Sequence, residues 1–336
     1  MLLNPSCVMM RKSLMVCIRI PAFLICFTPI TLFAQVIDET SSYRNMECDR
    51  YFRLHYVNDF FAATDFYYSQ GINFELGSPV LKKNPLNFLL PKLKNSEFAY
   101  GISVEHAVFT PLSIRNPDIS FNDHPFAAYF ILKSFLISTD TIHQQRLSST
   151  ISTGVLGPAA FGHGMQKSIH EWLKNIEPLG WEHQISNDFI INYELFYERK
   201  LYQPSAFFLM NGIVKLQAGT LMNNIQAGFT VIAGKYNSPF SSFANKPKHR
   251  YKIYFYAQPS VELVGYNASL EGGMFNRESE YKLSAAQLER ALFQTNFGVV
   301  IGDKKTYLEF FHSFLTKEFE EGKSHRWGGL VIGFRF

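Results

Sequence analysis

From about residue 50 onward, apolar side chains recur at every second position in runs of about ten residues. Ile72, Phe74 and Leu76 interleave with Gly71, Asn73 and Glu75, and Ile225, Ala227, Phe229 and Val231 repeat the pattern. In Phe98-Ala99-Tyr100-Gly101-Ile102-Ser103-Val104 large apolar residues alternate with small ones. Successive side chains of a strand point to opposite sides of a sheet, so each run predicts one apolar face and one small or polar face.

Twelve such runs can be marked: 51–59, 69–78, 97–109, 127–138, 146–155, 188–200, 205–217, 223–234, 250–271, 289–302, 305–316 and 326–336. Strands of about this length cross hydrocarbon when tilted. Apolar-out, polar-in alternation marks a transmembrane barrel. The predicted fold is therefore all-β: a twelve-stranded antiparallel transmembrane β-barrel over residues 51–336, with a short helix in an extracellular loop. Closure removes the sheet edges, as hydrocarbon requires. In the last run Leu330, Ile332, Phe334 and Phe336 share one face, and the chain ends on an aromatic like the recognition strand of bacterial outer-membrane barrels. The soluble rival is a β-sandwich, which salt or carbonate would release from membranes.

An even strand number puts both termini on one rim, with the long loops on the other. Counting along the chain then places three polar clusters on that second rim. They are Asn58-Asp59, the loop holding Thr110-Pro111 and Asp123-His124-Pro125, and the long stretch after Gly157-Pro158.

Composition agrees. Charged residues are 18% of the 336, below the roughly 25% usual in soluble globules. Residues 1–34 read as a signal peptide: Met10-Arg11-Lys12 opens a basic region, an apolar stretch runs from Leu14 to Phe33, and Ala34-Gln35 offers a cleavage point. Residues 35–50 form a lead-in. Past the leader no apolar run approaches helical membrane-span length, so the mature chain would not cross a membrane as helices. Removing the leader's Arg11, Lys12 and Arg19 leaves +1 of the formal +4, and no basic stripe appears, so nucleic acid is not an expected partner. Cys7, Cys17 and Cys26 would leave with the leader, and Cys48 alone cannot form an internal disulfide.

The candidate chemistry lies on the loops. Met165, Ile169, Trp172 and Leu173 recur at helical spacing, which predicts a short helix after Gly157-Pro158. Gln166 and His170, four apart, share a face of it. An imidazole there could activate water, since it titrates near neutral pH. Asn58 and Asp59 end the first strand, where a carboxylate beside an amide can hold a hard cation such as Ca²⁺; Asp65 and Ser69 lie across the same short loop. The same pair also reads as ordinary turn residues. Gly-x-Ser-x-Gly, His-Glu-x-x-His, Cys-x-x-Cys and a phosphate-cradling glycine loop are all missing.

Several spaced blocks, taken in order, resemble the outer-membrane lipid A deacylase family. They are Asn58-Asp59; Thr64-Asp65-Phe66-Tyr67-Tyr68-Ser69-Gln70-Gly71; Thr110-Pro111; Asp123-His124-Pro125-Phe126-Ala127-Ala128; the Gly154–His170 block; Gly180-Trp181 with Gln184; and Thr316-Lys317-Glu318-Phe319. The resemblance implies a monomeric barrel in the outer membrane of a Gram-negative bacterium. It implies Ca²⁺-dependent hydrolysis of 3′-linked acyl esters of lipid A within lipopolysaccharide, among the other lipids of that membrane. His170 would deprotonate water. Ca²⁺ near Asp59 and Asn58 would polarise the carbonyl, and Asn58, Ser69 and Gln166 would complete the catalytic set. The chain departs from the family pattern at Phe66, His124 and Ala128, and the family's loop lysine has Arg115 as its nearest counterpart. The rival readings are a phospholipase or esterase on the same barrel, and a non-enzymatic channel or structural barrel.

Overall fold

The computed structural model describes residues 39–62, 64, 66–242 and 248–336. The leader at 1–34, the first residues of the lead-in and Asp65 lie outside the described residues. The wall consists of β1 (Tyr51–Asn58), β2 (Tyr67–Gly77), β3 (Glu97–Thr110), β4 (Ala127–Asp140), β5 (Gln145–Leu156), β6 (Asp188–Ser205), β7 (Phe208–Gly219), β8 (Met222–Lys235), β9 (Lys252–Asn267), β10 (Ala291–Gly302), β11 (Thr306–Leu315) and β12 (His325–Arg335). Each strand pairs antiparallel with its chain neighbours, and β1 pairs with β12 from Tyr51↔Arg335 to Asn58↔Gly328. The sheet is a closed twelve-stranded antiparallel barrel, as the alternation predicts.

Among the described residues two α-helices interrupt the wall pattern: α1 (Gly162–Leu173) and the single turn α2 (Ala268–Glu271). The run marked as 250–271 is therefore too long. Asn267 ends β9 because its side chain accepts the backbone N–H of Ser269, capping α2 and turning the chain off the wall.

The two faces follow the alternation. Phe52, Phe74, Phe130, Leu132, Phe229, Val299 and Leu330 point outward and are exposed, while Arg53, Glu75, Glu105, Lys133, Glu198 and Glu309 point inward and are buried. Burial of these charges is tolerable because each has a partner. Arg53 meets Glu75 at 2.7 Å, Lys133 meets Glu105 at 2.6 Å, and Arg146 meets Glu198 at 3.1 Å.

The lead-in does not hang free. From Glu39 it enters the lumen at the end that carries the termini, and a 3-10 turn over Ser42–Arg44 is fully enclosed there. Arg44 grips Glu309 of β11 through Nε at 3.0 Å and Nη2 at 2.7 Å. Tyr43 stacks on Tyr256 with ring centroids 3.8 Å apart. Glu39 accepts from Lys133 at 2.8 Å and from Asn73 at 2.7 Å. Residues 39–46 thus act as a plug tied to β2, β4, β9 and β11.

Loop lengths depart from expectation. Long connections do gather at the rim away from the termini, where 111–126, 157–187 and 268–290 lie. Two more, 78–96 and 236–251, leave the terminal rim.

Replacing Arg44 with Ala strands Glu309 beside Tyr256 and Tyr307 without its cation. The expected loss is about 3–5 kcal/mol of stability, read from urea unfolding of the detergent-held barrel. An unchanged midpoint would show that the plug adds nothing to the wall.

Candidate active site

On the outward face of β1, Phe52, Leu54 and Tyr56 give way to Asn58, which sits opposite Gln70 of β2. Gln70 in turn faces Val108 of β3. An apolar outer wall thus turns polar at the rim. Asp59 opens a 3-10 turn, Asp59–Ala62, and is buried. Asn58 stitches that turn in place: its Oδ1 accepts from Phe60 N at 2.8 Å and its Nδ2 donates to Ser69 O at 2.8 Å. This is local Asx bonding of the kind that makes Asn a turn residue, here also bridging to the next strand.

Ser69 owes its position to a bulge. The β2–β3 register shifts between Tyr68 and Gln70, leaving Ser69 as the extra residue. Bulges re-aim side chains in this way and are common beside active sites. Tyr67, just before it, sits at φ 69°, in the left-handed region. The Ser69 hydroxyl lies 2.6 Å from that of Thr110, so the Thr-Pro ending β3 supports Ser69.

The helix α1 lies against the outer face of the wall. Its first residue must be glycine: a Cβ on Gly162 would sit 2.4 Å from the Ala128 Cβ and 2.9 Å from the Trp181 ring. His106 of β3 donates from Nε2 to Ala160 O at 2.7 Å, tying the preceding turn to the wall. Gln166 Oε1 accepts from the buried Trp181 Nε1 at 2.7 Å. Beyond α1 the chain reverses at Lys174, in the left-handed region, and this brings Ile176 back beside His170. His170 Nδ1 donates to Ile176 O at 2.7 Å. A carbonyl can only accept, so Nδ1 carries a proton here, and in the neutral form of the ring the lone pair is on Nε2.

Between α1 and strands β1–β3 lies a cleft of about 560 Å³. Asn58, Asp59, Ser69, Gln166 and His170 all line it, so these five expected residues meet in one place. Sequence reasoning missed Gln70 and Thr64, and the apolar mouth of Tyr56, Phe60, Phe61, Ile169, Trp172 and Leu173. The signal for Gln70 was present, as a polar residue at an outward wall position. Phe60 and Trp172 are each 81% exposed. The cleft is outside the lumen and continues onto the apolar wall.

Other motif residues serve elsewhere. Asp123 Oδ2 accepts from Leu112 N, and its backbone bonds Tyr281, joining two rim loops. His124 stacks on Phe109 with centroids 5.5 Å apart. Burial raises the Asp123 carboxyl above its usual range and pushes the His124 imidazole down to about 4. Phe319 packs on Tyr67, and Lys317 pairs with Glu289. Arg115 is exposed on the 111–126 loop and is not among the lining residues, which include no lysine or arginine.

Among the described residues no three His, Cys, Asp or Glu side chains cluster as a metal site. Among the described residues the oxygen donors at the cleft include the Asp59 carboxylate, the Asn58, Gln70, Gln166 and Asn175 amides and the Ser69 and Thr64 hydroxyls. That set fits a hard cation in kind, and with Asp59 the one carboxylate among the described lining residues, water or ligand oxygens would fill further coordination positions.

A family model described as "Outer membrane protein LpxR" matches residues 21–336. The chain belongs to the LpxR family. Among solved structures, LpxR from Salmonella typhimurium superposes with a TM-score of 0.69 at 16% identity, over 85% of this chain and 100% of that one. At that identity the likeness speaks for the fold. The β domain of the Bordetella autotransporter BrkA matches at a TM-score of 0.44 and 7% identity, over 86% of this chain and 99% of that one. Curated protein sequences give no significant match. Membership places the chain in a hydrolase family and leaves its own activity, substrate and mechanism to be argued from its residues.

Two predictions follow from this packing. Gly162→Leu should lift α1 from the wall, raising deuterium uptake across 162–184 while the strands stay protected; unchanged uptake would show that the helix tolerates a side chain there. The unfolded His124 imidazole binds a proton near pH 6.5, but the buried one resists until about 4. Stability is therefore present above 6.5 and lost as pH falls through that window. His124→Phe should blunt the acid loss seen by proteolysis of the 111–126 loop, and an identical pH profile would remove His124 as its source.

Proposed function

We propose that this chain is an outer-membrane barrel that hydrolyses an acyl ester of lipid A at the cleft beneath α1. The observation that carries the proposal is the position of His170. Its Nδ1 is locked on Ile176 O, inside a cleft on the outer wall that opens sideways onto apolar surface. A lipid held in the leaflet can reach such a site without leaving the bilayer. Phe60, Trp172 and Leu173 give its acyl chain an apolar mouth.

In this reading the wall spans the outer membrane, the leader directs export, and the cleft rim faces outside. His170 Nε2 takes a proton from water, and the water oxygen attacks the ester carbonyl carbon. The C–O bond to the sugar breaks, the proton passes to the departing alkoxide, and a fatty acid and a free hydroxyl result. Asn58 and Asp59 would hold Ca²⁺, which when bound polarises the carbonyl and stabilises the oxyanion. The amides of Gln70 and Gln166 and the hydroxyl of Ser69 line the same space and supply donors there.

One observation favours a second reading. None of the described residues lining the cleft is a lysine or arginine that could meet lipid A phosphates. A phospholipid or another acyl ester would therefore suit it as well. The lumen plug argues against the channel reading, because residues 39–46 occupy the terminal end of the pore.

The test is expression in a host with hexa-acylated lipid A, followed by mass spectrometry of the extracted lipid. Loss of an acyl mass is expected, falling about 10²–10⁴-fold with His170→Ala and disappearing with a chelator. Unchanged lipid A from a folded barrel, with fatty acid released from phospholipid instead, would favour the second reading. Release from neither would sink the enzyme assignment.

A further inference from the structure

The connection from β2 to β3 does not turn tightly below the wall. Residues 78–96 climb back up the outside of the barrel. Asn84 Nδ2 donates to Ser134 Oγ of β4 at 2.9 Å, Ser149 Oγ of β5 donates to Pro91 O at 2.7 Å, and Tyr193 OH of β6 donates to Leu89 O at 3.0 Å. Ser134 and Ser149 face outward by register, pairing with outward Ile151 and Leu136, yet both are buried. The strap therefore covers a polar patch on a face that is otherwise apolar and exposed.

Its own outer surface is unusual. Ser78 and Asn84 cap two consecutive 3-10 turns, Pro79–Lys83 and Pro85–Leu89. These turns present Val80, Leu86, Phe88 and Leu89 outward, and Phe88 is 93% exposed. Lys82, Lys83, Lys92 and Lys94 are exposed around them, and 78–96 contains no Asp or Glu. No basic stripe was legible along the sequence because these lysines are interleaved with apolar residues. Only the fold places them on one strap that is continuous with the apolar wall.

We propose that residues 78–96 form an anchor for the phospholipid leaflet at the terminal rim, opposite the candidate active site. Phe88, Leu86, Leu89 and Val80 enter the acyl region, and the four lysines pair with anionic glycerophospholipid phosphates. Apolar insertion combined with basic residues is the chemistry of interfacial membrane binding. A soluble protein partner fits less well, because the strap lies on the lipid-facing wall between β3 and β6. The inference rests on membrane placement of the barrel and does not depend on catalysis.

The test uses the full-length folded barrel in vesicles of phosphatidylcholine, alone or mixed equally with phosphatidylglycerol. Native mass spectrometry then reads the lipids retained on extraction. Wild type should retain phosphatidylglycerol over phosphatidylcholine, with about a fivefold loss per lysine neutralised. The variants are Lys82→Gln with Lys83→Gln, Lys92→Gln with Lys94→Gln, and all four together. Heat-modifiable gel mobility checks folding, and either pair serves if the fourfold variant fails to fold. Separately, Phe88→Trp should show added fluorescence quenching in brominated phosphatidylcholine beyond that of the parent. Equal retention of the two lipids, retention unaffected by the Lys→Gln changes, or no added quenching each overturns the anchor. A barrel that does not float with the vesicles overturns the membrane placement and the anchor together.

Discussion

Closure of the sheet is the constraint on which everything else depends. Once β1 pairs with β12, every wall strand has two neighbours and no edge remains to be solvated. Closure also defines an inside and an outside, and the alternation then fixes which residues go where. The outside becomes apolar. The inside receives Arg53, Glu75, Glu105, Lys133, Glu198 and Glu309, which must find partners or carry a heavy desolvation cost. Wall–wall pairs satisfy some of them, and the lead-in supplies the others through Arg44 and Glu39.

This arrangement separates stability from chemistry. The lumen is a network of matched charges with a plug at one end. The cleft is on the opposite side of the wall and at the opposite rim, assembled from the ends of β1–β3 and a helix laid against them. Moving the candidate site outside the lumen matters for a lipid substrate, because the acyl chain then never has to cross the polar interior. It also explains why apolar residues of α1 are so exposed. Trp172 and Leu173 line the cleft mouth and leave the barrel packing to Gly162 and Gln166.

The wall was legible because its signal is local. A period of two needs only neighbouring residues, and ten-residue runs repeat it often enough to count strands. The five candidate site residues were legible for a different reason, namely motif resemblance. Strand parity then put the three polar clusters on one rim. What failed were features that depend on distant pairings. Asp123-His124 matches a family block, yet the Asp123 carboxylate bonds Leu112, its backbone bonds Tyr281 and the His124 ring stacks on Phe109, locking rim loops together. Thr316–Phe319 likewise became loop packing. Gln70 was overlooked because a polar residue at an outward position has meaning only beside a rim.

By itself the sequence determined the closed, strand-by-strand plan and which face of each strand is apolar, since side-chain alternation is a property of the extended backbone. It also determined that a helix with Gln166 and His170 on one face follows β5, since helical spacing is equally local. Only the tertiary structure decided where that helix lies. The absence of a Cβ on Gly162, the Trp181–Gln166 bond and the bulge at Ser69 bring together residues that are about a hundred positions apart. The same holds for the plug and for the strap over β3–β6. Each is a short segment whose sequence shows no periodicity, and each gains its position from partners on strands far along the chain.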